Sequence, residues 1–267
     1  MAHRNDDMYV WRPGESLVAT NRLVAEESPV ALSYNGEAHG VLMATPSDLK
    51  DLALGFTLSE GIEVDQTQVQ IGDIEKAEQG YVVPITLTDP AFDQLVERRR
   101  AFASGAGCGV CGVESIEAAL RPLSSLPKAG PRSLPAIHQA MQNLHEHQPL
   151  NTVTGAVHAA AFLASNGKIG PVREDIGRHN ALDKLVGCLS RNNIAPADGT
   201  LLLTSRCSVE LVQKAAIAGF PAMATISAPT TLAIEYSQKC NLALAALVRS
   251  DSLLIVTDPH DLFVTAP

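Results

Sequence analysis

The sequence of 267 residues predicts an α/β protein in two parts, a smaller strand-rich α+β domain followed by a three-layer α/β domain with a mixed sheet. Three observations carry that expectation. Hydrophobic residues make up 46% of the chain, enough for a substantial core and too many for a disordered polypeptide. The first third reads as short strands around one helix, whereas beyond residue 134 helical and strand patterns alternate. Between them, residues 122–135 are rich in proline and serine and have the composition of a linker. The expected limits are a polar tail over 1–15, an α+β domain over 16–125 ending in a cysteine loop, and an α/β domain over 134–267.

In the first part, apolar runs at 29–34 and 38–43 flank Asn35-Gly36-Glu37. An Asn-Gly pair in that setting signals a hairpin, because both residues of the tight turn take positive φ. Ser47-Asp48-Leu49 opens a helix carried by Leu52, Phe56 and Leu58 and closed near Gly61. A strand over 81–87 and a helix over 89–102 follow, the helix ending near Arg98-Arg99-Arg100. Next comes Ser104-Gly105-Ala106-Gly107-Cys108-Gly109-Val110-Cys111-Gly112, where four glycines in nine residues leave the backbone little restrained. A short helical stretch over 114–120 leads into the linker.

In the second part a helix over 134–147 precedes strands over 158–164 and 170–175, joined by a turn at Asn166-Gly167. A helix (180–190), strand (201–205), helix (208–218), strand (222–227) and helix (231–240) come next. Strands over 242–248 and 253–256 close the chain. Such alternation predicts a sheet with helices on both faces.

The formal charge of −9 argues against nucleic acid as a partner. Small anions need only a local cluster of cations, for which Arg98, Arg99, Arg100, Arg173, Arg178 and Arg206 are candidates. The N-terminal residues lack the apolar core of a signal peptide, and no apolar run reaches the roughly 18 residues that span a bilayer. Five cysteines with only one close pair suit a reducing compartment, so the expected location is the cytoplasm, without a membrane.

Cys108 and Cys111 are the strongest chemical signal. A thiolate is a nucleophile and a sulfur acceptor, and its availability follows its pKa. The triple arginine before the pair and the helix start after it both favour the anion. Two thiols at this spacing can pass a sulfur atom between them or release it by forming a disulfide. A structural zinc site would need a second pair of ligands, for which His145 and His147 are the nearest offer. A thioredoxin-like site would need a βαβ setting around the pair. A zinc deaminase would need His-x-Glu and then Pro-Cys-x-x-Cys; here Gly107 replaces the proline and no His-x-Glu lies upstream.

The second signal is Arg173-Glu174-Asp175-Ile176-Gly177-Arg178-His179-Asn180-Ala181-Leu182-Asp183-Lys184, where a strand should yield to a helix. Asn180 with Asp183 resembles a capping box, which leaves Arg173, Arg178 and His179 unexplained. Thr204-Ser205-Arg206-Cys207-Ser208 and Ser227-Ala228-Pro229-Thr230-Thr231 look like similar strand-to-helix turns. Ligands of open α/β sheets bind beyond the carboxyl ends of strands, and helix starts there attract anions. Arg178, His179, Arg206 and Ser227 are therefore candidate contacts for a phosphorylated or pyrophosphate-bearing ligand, against the plainer reading of helix capping. His158 is a weak site candidate, and Cys207 and Cys240 read as small buried hydrophobes.

The chain resembles the FdhD family of accessory sulfurtransferases for formate dehydrogenase. The resemblance rests on Leu52-Ala53-Leu54-Gly55-Phe56-Thr57-Leu58-Ser59-Glu60-Gly61, Cys108-Gly109-Val110-Cys111-Gly112 and Thr154-Gly155-Ala156-Val157-His158-Ala159-Ala160-Ala161. It rests also on Glu174-Asp175-Ile176-Gly177-Arg178-His179-Asn180-Ala181-Leu182-Asp183-Lys184 and Val212-Gln213-Lys214. It implies that sulfur passes from a cysteine desulfurase to the bis-molybdopterin guanine dinucleotide molybdenum cofactor on its way to formate dehydrogenase. Cys108 would bear the persulfide and Cys111 would be its partner. It also implies a homodimer, a second domain similar to cytidine deaminase, no metal ligands, and GDP as a mimic of the cofactor. The family's cofactor-contacting stretch corresponds to Leu247-Val248-Arg249-Ser250-Asp251-Ser252. There the chain keeps Arg249 but has Asp251 and Ser252 in place of a Lys/Arg-Pro-Gly-Arg type of turn. Before His158 it has Thr-Gly-Ala for Thr-Gly-Gly. A non-catalytic cofactor chaperone and a structural zinc protein are the competing classes.

Overall fold

Residues 1–15, expected as a tail, instead supply a strand. The computed structural model of the chain describes residues 2–62, 65–93, 95–96 and 120–266. In it β1 (His3–Val10) pairs antiparallel with β2 (Val18–Ala25) as a separate ribbon. The base of the ribbon is tied to the second half of the chain, where Arg22 Nη2 donates to the Thr154 carbonyl at 3.3 Å.

A two-residue turn then sets the first sheet. Asn35 (φ 48°) and Gly36 (φ 84°) both take the left-handed backbone, joining β3 (Ser28–Tyr34) to β4 (Glu37–Ala44) as the Asn-Gly signal predicts. Short β5 (Val69–Ile71) and β6 (Glu75–Ala77) precede β7 (Gly80–Leu87), giving the order β4-β3-β7-β5 with β6 also on β7. Along β3 the side chains alternate, and Val30, Leu32 and Tyr34 point inward. Helix α1 (Leu49–Ser59) covers them with Leu49, Leu52 and Ala53.

Residues 122–131 form irregular chain, but they lie against the second half. Leu126 is buried there, its N–H donating to the Cys240 carbonyl, and buried Arg132 donates to the carbonyls of Gly199 and Ala197. Strand β8 (Arg132–Ser133) pairs with C-terminal β15 (Phe263–Val264). Helix α2 (Leu134–Asn143) continues as a 3₁₀ turn (Leu144–His147), and α3 (Pro149–Thr154) leads to β9 (His158–Ala164) and β10 (Ile169–Asp175). Then follow α4 (Arg178–Arg191), β11 (Gly199–Leu203), α5 (Val209–Ile217), β12 (Ala222–Thr225), α6 (Thr231–Lys239), β13 (Ala243–Ala246) and β14 (Leu254–Thr257).

The six strands run in the order β10-β9-β11-β12-β13-β14. Pairs β11–β12 and β12–β13 are parallel and the others antiparallel, so the sheet is mixed. Strand alternation divides its core. Ala160, Phe162, Leu201, Leu203, Met223 and Leu244 face α4 and α5, whereas Ala161, Leu163, Leu202, Ala224 and Ala245 face α2. Three layers result.

The two parts meet where α1 crosses α4. A Cβ on Gly55 would lie 1.6 Å from the Asp183 carbonyl oxygen, and one on Gly187 2.0 Å from that of Asp51, so the backbones touch. Buried charges surround this contact. Asp51 accepts from Arg173 Nη2 at 2.8 Å and from Arg191 Nη1 at 2.7 Å. Lys184 pairs with Asp175 at 2.6 Å, both side chains 0% exposed, and also donates to the Thr45 carbonyl. Asn180 does not build a capping box: the N-cap of α4 is Gly177, without a side-chain bond. Its amide instead donates to Asp175 Oδ1 at 3.0 Å and to the Met43 carbonyl at 2.8 Å. Asp183, the other half of that expected box, accepts from Lys214 Nζ at 2.8 Å and from Ser59 Oγ at 2.5 Å. Lys214 also pairs with Glu60 at 2.6 Å, and Arg121 closes on Glu60 from the other side.

Two outcomes are expected. Gly187→Ala should cost about 3 kcal/mol or more, because no rotamer relieves a clash with backbone; a urea unfolding midpoint that stays unchanged would contradict the contact. Burial alone would raise the Glu60 pKa, but Lys214 and then Arg121 hold it down to about 2. A depressed carboxylate contributes stability that is complete above its unfolded value near 4.5 and lost as pH falls toward about 2. Glu60→Gln should therefore flatten the loss of stability over that window, as read from midpoints at several pH values.

Candidate functional site

Topology gathers the candidate residues on one edge of the six-stranded sheet. Strands β10, β11, β12 and β13 end there, and antiparallel β9 begins there, with His158 opposite Asp175. Arg178 and His179 open α4 just after β10. Arg206 follows β11, Ser227 follows β12, and Leu247 to Ser252 follow β13. At about 4.8 Å between neighbouring strands, β9 to β13 spans roughly 14 Å, the scale of a nucleotide rather than of a single ion.

The β9 end of this edge is cationic. His158 is half-buried, and its pKa lies below the usual histidine value because of burial first, then the positive charges of Arg178 and Arg206. The Arg178 guanidinium is 4.0 Å from Glu210, and its buried Nε has no hydrogen-bond partner among the described residues. His179 Nε2 stands 3.0 Å from Glu210 Oε2; burial and Arg178 lower its pKa, and Glu210 draws it back up. Arg206 is exposed. Neither α4, whose N-cap is Gly177, nor α5, whose N-cap is Ser208, has a side-chain cap, which leaves helix-start N–H groups open beside these cations.

The β13 end is a fixed turn. Leu247 takes φ 51°, unusual for a branched residue, and its N–H donates to the Ser227 carbonyl. The N–H of buried Val248 reaches the Thr225 carbonyl at 3.2 Å, and the Arg249 N–H reaches the Ser252 carbonyl at 2.8 Å. Gln142 Nε2 holds the Arg249 carbonyl at 2.9 Å. Arg249, Ser250, Asp251 and Ser252 are left exposed, with Ser252 Oγ donating to Asp251.

Not every expected residue is at this edge. Arg173, a candidate for the anion, is committed to Asp51 and touches Cys188 Sγ at 3.0 Å in the seam behind it. Cys108 and Cys111, with Arg98, Arg99 and Arg100, lie outside the described residues. The three described cysteines are all buried. Burial raises each thiol, that of Cys207 up to about 12, so none of these three is primed as a nucleophile. Sequence reasoning did not single out Glu210, and it held Thr204 only as part of a turn. Glu210 sits in the first turn of α5 and balances His179, and Thr204 Oγ1 accepts from the Ala159 N–H at 2.8 Å beside His158. Lys214 entered only as part of a motif. The available signal was a lone lysine in the apolar stretch of α5.

Comparison with known proteins places this geometry in a family. The model of the FdhD/NarQ family matches residues 25–263. A protein of Bordetella petrii named sulfur carrier protein FdhD is 45% identical over 239 residues, covering 90% of this chain and 86% of its own. A protein of the same name from Agrobacterium fabrum is 46% identical over 241 residues, covering 88% of each chain. The fold is also similar to the crystal structure of a Desulfotalea psychrophila protein assigned as a formate dehydrogenase accessory protein. That similarity has a TM-score of 0.76 at 22% identity and covers 97% of this chain and 98% of that one. The chain belongs to the FdhD/NarQ family.

Proposed function

We propose that this chain is a sulfur carrier in the maturation of formate dehydrogenase, with Cys108 as the carrying residue and the cationic sheet edge as the seat of the client cofactor. The observation that carries the reading is the convergence of Arg178, Arg206 and His158 at an uncapped helix start, in a chain about 45% identical to proteins named sulfur carriers. The donor is a cysteine desulfurase, the client is the bis-molybdopterin guanine dinucleotide molybdenum cofactor, and the recipient is formate dehydrogenase. The protein acts as a homodimer in the cytoplasm, on a scaffold similar to cytidine deaminase.

The chemistry balances as follows. The Cys108 thiolate attacks the outer sulfur of the desulfurase persulfide; that S–S bond breaks, and the desulfurase leaves as a thiolate. Cys108 then holds a persulfide. When Cys111 attacks the inner sulfur, the outer sulfur departs as hydrosulfide with the bonding pair, and the two cysteines are left as a disulfide. The cysteine pair thus supplies both electrons, and a dithiol reductant restores the thiols. At the edge, Arg178 and Arg206 hold the pyrophosphate of the client by charge-assisted hydrogen bonds, and the turn from Leu247 to Ser252 closes the other end. His158, whose pKa is lowered first by burial and then by the charges of Arg178 and Arg206, lines the same seat.

Incubation with a cysteine desulfurase and cysteine should add one sulfur atom to the intact mass of the protein and none to Cys108→Ala. Formate dehydrogenase made beside Cys108→Ala should be inactive; normal activity would overturn the carrier role. The cations at the edge favour one second reading, a chaperone that binds the cofactor without sulfur chemistry. It expects the enzyme to survive replacement of both cysteines. On either reading Arg206→Ala should weaken GDP binding by roughly tenfold, and only the carrier reading requires sulfur loading to persist in that variant.

A further inference from the structure

The ribbon of β1 and β2 joins neither large sheet, and among the described residues no strand pairs with the outer edge of β1. A lone two-stranded ribbon is marginally stable in water, and an open edge of this length invites pairing with another chain. The strand lies before residue 25, where the family match begins, so its role has to be read from its own residues.

Those residues are self-complementary. The strand opens with His3-Arg4-Asn5-Asp6-Asp7, which runs basic, basic, neutral, acidic, acidic. Arg4 and Asp6 share a face and already pair, Nε to Oδ2 at 3.1 Å, with neither side chain buried. Charges of one sign on an edge repel a second copy; this edge carries both signs in mirror order.

The backbone fixes how the pattern can be used. The Glu26 N–H donates to the Ala2 carbonyl at 2.9 Å, which makes these two a hydrogen-bonded pair next to His3 and Ala25 in the ladder. Bonded and non-bonded pairs alternate along an antiparallel ladder. Arg4, Asp6 and Met8 therefore turn their backbone groups toward β2, whereas His3, Asn5 and Asp7 turn theirs toward the open edge. A second copy meeting that edge antiparallel must set odd-numbered residues against odd-numbered ones. With the two-fold axis at Asn5, His3 faces the partner's Asp7 and Arg4 faces the partner's Asp6. Moving the axis by one residue sets Asp6 against the partner's Asp6, or Arg4 against the partner's Arg4, and like charges oppose both.

We propose that two copies of this chain join edge to edge through β1, as an antiparallel pair centred on Asn5, making one four-stranded sheet in the order β2-β1-β1-β2. The inference rests on the homodimer reading above and deepens it by assigning the surface and the register. Arg4 and Asp6 of each copy then form four alternating charges on one face. The contact is isologous, so it closes at two copies and removes an open edge from each.

Sedimentation equilibrium of the full chain tests this. Arg4→Glu and Asp6→Lys each bring like charges together across the axis, and each should weaken the dimer roughly tenfold, since two contacts change at once. An equal mixture of the two variants restores both pairs and should recover the dimer as a heterodimer. Loss in the single variants without recovery on mixing would mean that the charges act within one chain, and would overturn the pairing. Asn5→Cys, made together with Cys108→Ser and Cys111→Ser, probes the axis itself, the three described cysteines being buried. The two Cα atoms at position 5 would lie about 5.5 Å apart, within disulfide reach, so mild oxidation with diamide should give a covalent dimer. Asp7→Cys in the same background faces the partner's His3 and should not. A dimer that neither charge change weakens and that Asn5→Cys does not bridge would overturn this interface and leave the homodimer standing on another surface. A chain that stays monomeric at every concentration would overturn both.

Discussion

The fold depends on a backbone contact between two helices. Gly55 of α1 and Gly187 of α4 lie against carbonyls of the opposite helix, at a separation that no Cβ permits. That fixes the register of one helix on the other, and the register brings Asp51 to Arg173 and Arg191, and Ser59 and Glu60 to Asp183 and Lys214. Buried ion pairs are weak stabilisers in net terms, but removing one partner leaves a charge that costs roughly 3–5 kcal/mol. The seam therefore tolerates one alignment and penalises neighbouring ones. Specificity of docking follows from this more than strength does.

The candidate edge inherits its shape from the same seam. Asp175 ends β10, accepts the Gly177 N–H at 2.8 Å and the Thr45 N–H at 3.0 Å, and neutralises Lys184. One carboxylate thus sets the strand-to-helix turn that presents Arg178 and His179, and ties it to the end of β4. The cations sort into two groups accordingly. Arg173, Lys184 and Lys214 are saturated by carboxylates within the fold. Among the described residues Arg178 reaches only Glu210, at 4.0 Å, and Arg206 has no ion pair; both sit where helix-start N–H groups add to their field. The net charge of −9 does not cancel that local field, because the total matters little at short range.

Much of the fold was legible because its signals are local. The Asn35-Gly36 turn, the apolar runs of β9 and β11, and the helix limits around α5 and α6 need only neighbouring residues to interpret. The ribbon strand β1 was not legible: His3 to Val10 shows no apolar alternation, since both its faces are largely exposed. The Asn180–Asp183 spacing imitated a cap because the partners that claim those side chains, Met43 and Lys214, are 137 and 31 residues distant. Arg173 looked available for the same reason, its carboxylate being 122 residues away. The edge residues Arg178, Arg206, Ser227 and 247–252 could be placed together from the strand-end rule alone.

The seam also fastens the chain that follows the cysteine motif. Arg121 donates to the Glu60 carbonyl at 2.9 Å and pairs with its carboxylate, so the chain that leaves the cysteine motif is fastened to the end of α1. Arg121 follows Cys111 by ten residues, and ten residues reach at most about 35 Å. Glu60 shares Lys214 with Asp183, and Lys214 lies close enough to His179 to depress its pKa. The tether of the cysteine pair and the start of the cationic edge are thus joined through one lysine.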